Sequence, residues 1–263
     1  MSYFIPVKPY LTSVCALIIT LSTTIVSPKL VIAQTPPPEL KNTLAQIDQA
    51  ANQQNVQSVM ILYSSSFTNT DGLNYASLSK TLTSLWQRYP NLSYRTEIKS
   101  WQAQPNGFVA ETITYITGKQ VKDNQQIQLN SVVRSRQRFQ NNKIIQQEIL
   151  SERSQLSQGN QPPNVDFILP EQVKVGQSYY LDAIVKEPVG NDLLIGAVLE
   201  ESINPNRYFQ AKKLNFESLQ SGGIFKIGKA PKIKGQYWIS AVIMRPGGIT
   251  SVTQRLFVVD GRK

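Results

Sequence analysis

The fold is decided by residues 62–98, LYSSSFTNTDGLNYASLSKTLTSLWQRYPNLSYRTEI, where the spacing of apolar side chains changes from helical to extended. Before Pro90 the apolar residues recur at i, i+4, i+7 and i+11, which predicts an amphipathic helix: Leu78, Leu82, Leu85 and Tyr89. Pro90 ends this helix, because the residue before a proline disfavours helical backbone angles. After Pro90 the period is two, which predicts a strand with one apolar face: Leu92, Tyr94, Thr96 and Ile98.

Two more helices are predicted upstream of this stretch. The first has Leu40, Leu44, Ile47 and Ala51 along one face, and the second has Val56, Val59, Met60, Tyr63 and Phe67. The pair Asp71-Gly72 is a turn signal after the second helix. Downstream, turn sequences at 104–107, 118–126 and 140–143 separate three further runs that are typical of strands. Three helices followed by a four-stranded antiparallel meander indicate an α+β fold.

This order resembles the nuclear-transport-factor-2-like superfamily, which includes ketosteroid-isomerase-like and polyketide-cyclase-like proteins. The resemblance covers residues 37–153 and rests on Tyr63, Phe67, the Asp71-Gly72 turn and the sequence RYPNL at 88–92. It implies an α+β cone-shaped barrel, with three helices on a curved antiparallel sheet and a pocket between them. It also implies a homodimer formed through that sheet. The superfamily contains enzymes, ligand binders and partner-binding modules.

The second half of the chain is predicted to be all strand and turn. Residues 154–164, SQLSQGNQPPN, have no periodicity and are rich in Gln, Ser and Pro, which favours an interdomain linker. Residues 165–263 contain short strands separated by Gly, Pro and Asn turns, a pattern typical of a β-sandwich. LPEQVKVGQSYYLDAIV at 169–185 and KGQYWISAVIM at 234–244 resemble a bacterial immunoglobulin-like domain, and Tyr237 lies where such a domain has its tyrosine corner.

Residues 1–34 are typical of a secretory signal peptide. Lys8 provides a basic start, an apolar run extends from Leu11 to Val26, and Ala33 ends a cleavage sequence. The alternative is an uncleaved membrane anchor, although this run is shorter than the ~20 apolar residues that a span needs. We therefore expect an exported protein of the periplasm, the thylakoid lumen or the extracellular medium. Its composition and layout resemble cyanobacterial envelope or lumenal proteins.

Residue types that the chain lacks exclude several kinds of chemistry. It has no His, and Cys15, its one Cys, lies within the predicted signal peptide. The exported chain would then have no disulfide, Cys nucleophile, His base or usual zinc ligand. It also lacks a phosphate-binding loop and a nucleophile elbow, so we expect no cofactor and no metal. The net charge of +10 becomes +8 without Lys8 and Lys29. This charge either attracts acidic polymers and anionic lipid head groups or serves solubility alone, and nucleic acid is not expected as a partner outside the cytoplasm.

Two carboxylates and two phenols are candidates for chemistry in a pocket. By resemblance to superfamily enzymes, Asp71 or Glu111 would act as a base with Tyr63 or Tyr115. A buried Asp can be a base because desolvation raises its pKa, and a Tyr hydroxyl can stabilise an enolate. However, Asp before Gly is also a common turn pair, since Asp tolerates left-handed backbone and bonds its own main chain. Glu111 lies in a strand that is apolar on both faces, so the side chain has no predicted direction.

Two further sets of side chains are binding candidates. Trp86, Tyr94 and Trp101 are either a ligand platform or part of the core or the dimer interface. Arg134, Arg136 and Arg138 alternate on one strand face and either bind an anion or polymer carboxylate or form a solvated outer face.

Taken together, these patterns predict a non-catalytic binding protein. The first domain would bind a small apolar ligand or dimerise, and the sandwich would contact an envelope partner. The alternatives are an isomerase- or cyclase-like enzyme that uses a pocket carboxylate, and a binder of acidic envelope polymer.

Overall fold

The computed structural model describes residues 35–261, except 123, 189, 191, 206–207, 209–212 and 220–221. The predicted signal peptide lies outside these residues. Three helices are found among them: α1 (Pro38–Asn52), α2 (Val56–Ile61) and α3 (Tyr75–Arg88). None of these helices in the described part has the length and apolar content needed to cross a bilayer.

Local sequence determines where each helix begins. α1 starts with a proline, whose missing N–H would have had no partner in the first turn. At α2, the Asn55 side chain accepts a hydrogen bond from the Ser58 backbone N–H at 3.0 Å. At α3, Asn74 and Ser77 form a capping box, in which each side chain accepts a bond from the other residue's backbone N–H, at 2.9 and 2.8 Å.

The second predicted helix is shorter than the sequence suggested. Tyr63 and Phe67 do not continue α2 but belong to strand β1 (Tyr63–Asn69), which lies parallel to a later strand with Tyr63 opposite Ile144. The three serines that follow Tyr63 are weak helix formers, because their side chains compete for backbone hydrogen bonds. Pairing with the neighbouring strand therefore determines the conformation of this segment, and Phe67 points into the core.

The remaining strands are β2 (Leu92–Gln104), β3 (Gly107–Lys122), β4 (Gln125–Gln140), β5 (Lys143–Gly159), β6 (Val165–Ile168), β7 (Gln172–Lys174), β8 (Ser178–Val185), β9 (Ile195–Ser202), β10 (Glu217–Ser218), β11 (Gly223–Lys229), β12 (Gly235–Arg245) and β13 (Gly248–Val259). Within the described residues, ten strands form one sheet, with the main order β10-β9-β12-β13-β5-β4-β3-β2. In this sheet β1 pairs with β5, and β7 pairs with β13. A second sheet has the order β11-β8-β6. The antiparallel meander β2 to β5 was predicted correctly.

Strand β5 belongs to both halves of the chain, which corrects the predicted linker. Residues 154–159 are not irregular but form the end of β5, paired with β4 on one side and β13 on the other. Their backbone groups are satisfied by two neighbouring strands, so the segment is regular although its side chains are mostly Ser and Gln. The described residues from Thr35 onwards accordingly group into one compact unit by their contacts.

The first-half sheet is not the closed barrel that the resemblance implied. The long sheet is open, because its end strands β10 and β2 do not pair with each other. In the second half, buried side chains of β6, β8 and β11 pack with those of β12 and β13 into one apolar core. The Tyr237 hydroxyl donates to the Ile233 carbonyl oxygen at 3.1 Å, the type of bond expected for a tyrosine corner. An immunoglobulin-like sandwich remains a prediction.

Candidate functional site

A cavity of about 160 Å³ lies between the helices and the sheet of the first half. Helices α1 and α3 provide an apolar wall, which comprises Leu44, Ile47, Ala51, Leu78, Leu82 and Trp86. The sheet contributes both apolar and polar side chains: Tyr94, Thr96, Thr114, Ile116, Val133, Ser135, Gln137, Ile144 and Gln147. The pocket predicted between the helices and the sheet therefore exists.

Asp48 of α1 is the one carboxylate that lines this cavity among the described residues. Its Oδ2 accepts a bond from the Thr96 backbone N–H at 2.6 Å, and its Oδ1 accepts one from the Thr96 hydroxyl at 2.7 Å. The Thr96 hydroxyl is also 3.1 Å from that of Thr114. Both carboxylate oxygens are thus engaged, and the side chain fastens α1 to β2.

Helix α1 also covers the free edge of β2, the last strand of the sheet. Asn52, one turn beyond Asp48, donates to the Tyr94 carbonyl oxygen at 3.0 Å and accepts from the Tyr94 N–H at 2.7 Å. These two side chains satisfy backbone groups that would otherwise be open to another strand. The helix wall of the cavity is therefore held in position by specific polar contacts as well as by apolar packing.

Tyr63 lines the same cavity, as β1 directs its side chain between the helices and the sheet. Its ring meets that of Phe67 edge to face, with centroids 4.9 Å apart. Burial, with a smaller contribution from the Asp48 charge, raises the pKa of Tyr63 to about 12. The predicted candidate Tyr63 is therefore a neutral phenol in the cavity, and the carboxylate near it is Asp48.

Polar side chains of β3, β4 and β5 meet on the sheet side of the cavity. Gln137 is 5% exposed, and its Nε2 donates to the Ser135 hydroxyl oxygen at 3.3 Å. That hydroxyl lies 3.2 Å from the Thr112 hydroxyl and 3.5 Å from Gln147 Nε2. Within the described part of the chain, Gln137 Oε1 is buried and accepts no hydrogen bond. An unpaired buried acceptor costs about 1–3 kcal/mol of folding free energy.

Two of the three aromatic binding candidates line the cavity. The Trp86 indole N–H donates to the Tyr94 hydroxyl at 2.9 Å, and the two rings meet edge to face. Burial raises the pKa of Tyr94, and the bond from Trp86 opposes that shift. Trp101 does not line the cavity, as its ring packs edge to face against Phe108, with centroids 6.0 Å apart.

Asp71 lies outside the cavity and forms a buried ion pair with Arg255 of β13. Its Oδ1 and Oδ2 accept bonds from Arg255 Nη1 and Nη2 at 2.7 and 2.9 Å, and the two side chains are 6% and 1% exposed. The turn itself is stabilised by Asn69, whose Oδ1 accepts bonds from the backbone N–H groups of Asp71 and Leu73. Gly72 provides the positive φ of 90° that the turn requires. Asp71 therefore lies in a turn, as predicted, where the Gly72 N–H bonds the Asn69 carbonyl oxygen at 3.1 Å, but its carboxylate bonds Arg255 and does not line the cavity.

Other polar side chains complete the cluster around Arg255. Glu152 of β5 accepts from Arg255 Nη2 at 2.7 Å and from the Trp238 indole N–H at 3.0 Å. The Tyr208 hydroxyl donates to Asp71 Oδ2 at 3.1 Å. Burial works to lower the pKa of Arg255, but its bonds to Asp71 and the charge of Glu152 outweigh this effect and raise it. The guanidinium therefore stays charged between two carboxylates.

Glu111 also lies outside the cavity, on the outer face of the sheet. Its oxygens are each 2.8 Å from one guanidinium, those of Arg134 and Arg136, and Arg136 also bonds Glu148 at 2.8 Å. The bonds from Arg134 and Arg136 lower the pKa of Glu111. Two of the three arginines proposed as an anion site are thus paired within the sheet. Arg138 lies beside residues 104–106 at the β2–β3 turn.

Tyr115, the other predicted phenol, is on this outer face as well. The Arg95 guanidinium carbon is 4.3 Å from the centre of its ring, and its hydroxyl donates to Glu97 at 3.5 Å. The structure therefore brings Tyr63, Trp86 and Tyr94 together in the cavity and leaves Asp71, Glu111, Tyr115, Trp101 and the three arginines elsewhere.

Sequence reasoning missed the two polar residues that distinguish this cavity. Asp48 is four residues from Leu44 and beside Ile47, so it interrupts the apolar stripe of α1, which was a visible signal. Gln137 lies between Arg136 and Arg138, and an outward face for the arginines implies an inward face for Gln137. No group of three or more Cys, Asp or Glu side chains in the described ranges is arranged to hold a metal ion.

Comparisons with known proteins cover parts of the chain. A family model described as a domain of unknown function, DUF8623, matches residues 160–259. No curated protein matches the sequence. Solved structures with similarity include Bd1075 from Bdellovibrio bacteriovorus, at 15% identity and TM-score 0.31 over 42% of this chain and 40% of that one. An uncharacterized cystatin-fold protein from Novosphingobium aromaticivorans is 16% identical, with TM-score 0.31, over 44% of this chain and 99% of that one. A Δ5-3-ketosteroid isomerase from a Mycobacterium species is 9% identical, with TM-score 0.29, over 42% of this chain and 91% of that one.

Proposed function

We propose that this protein binds a small, mostly apolar molecule in the cavity between its helices and its sheet. The observation that carries the proposal is a void of about 160 Å³ in an otherwise packed layer. Protein interiors rarely keep such space, and at ~24 cal/mol per Å³ a void of this size costs about 4 kcal/mol. An apolar cavity of ~150 Å³ is known to admit benzene, so one ring of that size fits here.

The experiment is calorimetric titration of the chain from Thr35 onwards with toluene. We expect saturable binding to one site. In a matched pair of variants, Val133→Phe fills the cavity, whereas Val132→Phe adds the same ring on the outer face, where Val132 is 42% exposed. Val133→Phe should abolish binding and Val132→Phe should leave it unchanged. Equal loss in both variants, or no binding to the parent chain, would contradict the proposal.

An isomerase-like reaction is a second candidate, since the cavity holds Tyr63 as a neutral phenol together with one carboxylate. That carboxylate would be Asp48 instead of the predicted Asp71. Both oxygens of Asp48 already accept bonds from Thr96, which favours a structural role for this side chain. Binding without turnover is therefore the simpler function for this arrangement.

Contact with a partner protein is favoured by exposed apolar side chains on the second sheet. Tyr180 of β8 lies opposite Ile227 of β11, and the two side chains are 71% and 69% exposed. Two residues further along β8, Asp182 lies between Phe225 and Ile168 of the flanking strands, and both of these apolar side chains are exposed as well. Such patches mark interaction surfaces. A photo-crosslinking residue at position 180 should trap a partner in the native cells, whereas the same residue at Val121, exposed near the end of β3 in the other sheet, should not. Adducts at both positions or at neither would argue against this contact.

Export, a homodimer through the first sheet and an acidic polymer as partner remain proposals. The paired state of Arg134 and Arg136 leaves fewer free charges for a polymer than the sequence suggested.

A further inference from the structure

Four strands end the two sheets of the described part, and they differ in what covers their outer edges. Helix α1 covers the edge of β2 through Asp48 and Asn52, and β10 is two residues long. At β6, the Phe167 carbonyl oxygen accepts a bond from Arg153 Nη1 at 3.0 Å. Strand β11 is seven residues long, and no strand of the described part pairs with its outer edge. Proteins usually cover or shorten their sheet edges, because an open edge pairs with other chains.

The hydrogen bonds between β11 and β8 show which backbone groups of β11 point outwards. Gly222 accepts a bond of 3.0 Å from β8, and Ala230 donates one of 2.8 Å to the residue that precedes β8. The register between these two bonds is unbroken, so alternate residues of β11 bond β8 and the residues between them face away. The N–H and C=O groups of Phe225 and Ile227 therefore point to the open edge.

The side chains along this edge are apolar at two positions and basic at two others. Phe225 and Ile227 are 53% and 69% exposed. Lys226 points to the opposite face of the strand, where its Nζ lies 3.1 Å from Glu217 of β10, and both of these side chains are about half exposed. Such an exposed pair contributes little, so Lys226 can bind a second carboxylate. Lys229 is exposed and has no ion pair with another described residue.

We propose that β11 binds an extended, acidic segment of another protein, which joins the second sheet as an added antiparallel strand. The segment places apolar side chains opposite Ile227 and Phe225, and carboxylates opposite Lys229 and Lys226. In this mode of recognition main-chain bonds give affinity, and the opposed side chains give specificity. The inference rests on the partner contact proposed above for the second sheet, and it does not depend on the cavity.

A second copy of this chain fits the open edge less well than an acidic segment does. Lys226 is the middle residue of β11, so a two-fold pair with full overlap would place Lys226 opposite itself. Like charges that lie directly opposite each other destabilise a strand pair. A shifted pair would avoid this contact but would form fewer main-chain bonds. The net positive charge of the chain adds a general repulsion between copies.

The test uses the chain from Thr35 onwards and short peptides that carry a fluorescent label. When the peptide ETVEVTT runs antiparallel to β11, its glutamates lie opposite Lys229 and Lys226, and its valines lie opposite Ile227 and Phe225. The peptide KTVKVTT keeps the valines and reverses the charge. Dissociation constants are measured by fluorescence anisotropy. We expect ETVEVTT to bind at one site and KTVKVTT to bind about tenfold more weakly or not at all. Equal binding of the two peptides would overturn the assignment of an acidic segment.

Methylation of the peptide amides tests the main-chain bonds without any change to the protein. Methyl groups on the third and fifth residues of ETVEVTT replace N–H groups that point to β11, whereas methyl groups on the second and fourth residues replace N–H groups that point away. The first pair should weaken binding by about fivefold for each bond that is lost, and the second pair should leave it unchanged. Equal weakening by both pairs, or no binding of ETVEVTT, would overturn the proposal.

Two variants test the same bonds from the side of the protein. Ile227→Pro removes an N–H that points to the open edge and breaks no bond to β8, whereas Ile227→Val keeps this N–H. We expect the proline variant to lose binding of ETVEVTT and the valine variant to retain it, and equal binding by both would count against the added strand. If the parent chain forms a dimer that Ile227→Pro abolishes, a second copy occupies the edge and the proposal is wrong. If position 180 crosslinks a partner but ETVEVTT does not bind, the proposed partner contact stands and this inference fails.

Discussion

Asp71 and Arg255 are 184 residues apart in the sequence and form a two-pronged ion pair, at 2.7 and 2.9 Å, that is almost fully buried. Asp71 follows β1 in the first half, and Arg255 belongs to β13 in the second. The pair therefore joins the β1 turn to the second half, and Glu152 of the shared strand β5 completes it.

Asp71→Asn should lower the free energy of unfolding by about 3 kcal/mol, because it leaves a buried guanidinium with one carboxylate instead of two. The measurement is denaturant unfolding near neutral pH. Asp166→Asn is the control, since Asp166 pairs with Lys186 at the surface and both side chains are about half exposed. We expect the control to lose less than about 1 kcal/mol. Similar losses in the two variants would show that the buried pair adds little.

Alkaline pH should destabilise the protein through Tyr63. A Tyr titrates near 10 when unfolded, and in the fold the pKa of Tyr63 is raised to about 12. The stabilisation is complete below the unfolded pKa and is lost as the pH rises towards the folded value, because the unfolded chain releases the proton first. When the pH is raised from about 9 to about 11, the free energy of unfolding of Tyr63→Phe should fall by about 1 kcal/mol less than that of the parent chain.

The control for this pH profile is Tyr180→Phe, since Tyr180 is 71% exposed. Its unfolding free energy should follow that of the parent chain at each pH. A Tyr63→Phe profile that runs parallel to the parent would show that Tyr63 does not titrate differently in the fold.

Thr96→Val should loosen α1 from the edge of the sheet, because Asp48 then loses the hydroxyl bond of 2.7 Å. The expected loss in unfolding free energy is about 1–2 kcal/mol. Thr96→Ser keeps the hydroxyl and should lose less. Hydrogen exchange of the Tyr94 and Thr96 backbone amides gives a local readout, and equal exchange rates in both variants would count against the proposed link.

Glu111→Gln should free Arg134 on the outer face and strengthen binding to an anionic resin. The comparison is Glu217→Gln, which changes the net charge equally but releases the surface residue Lys226. At low salt, Glu111→Gln should elute later than Glu217→Gln, since two guanidinium groups converge on Glu111. Elution at the same salt concentration would show that these arginines remain unavailable to polymers.

Sequence patterns predicted those elements whose limits are encoded locally. Pro90 ends α3 near Arg88, and the period of two after it gives β2. The same reasoning was wrong where pairing outweighs propensity, as in the Ser-rich strand β1 and at residues 154–159 of β5. Neither segment has alternating apolar residues of its own, so nothing local indicated a strand.

The candidate site was predictable in part. Tyr63 was named by resemblance to superfamily enzymes, and Trp86 and Tyr94 were named because they are large aromatic residues of the first half. Asp48 could have been found because it interrupts the apolar stripe of α1. Gln137 could have been found because it shares a face of β4 with buried Phe139. Arg255 could not have been predicted as the partner of Asp71, because a contact between residues 184 positions apart depends on how the two halves pack.

The shared strand β5 also bears on how such a chain can be divided. A cut at the predicted boundary, after Arg153, would sever a strand while it is hydrogen-bonded to β4 and β13 at once. Each fragment would then expose an edge strand with unpaired backbone N–H and C=O groups, which favours aggregation. Exchange of one half by gene recombination would also divide β5. We therefore expect the two halves to be inherited and expressed as one chain and to unfold in a single transition.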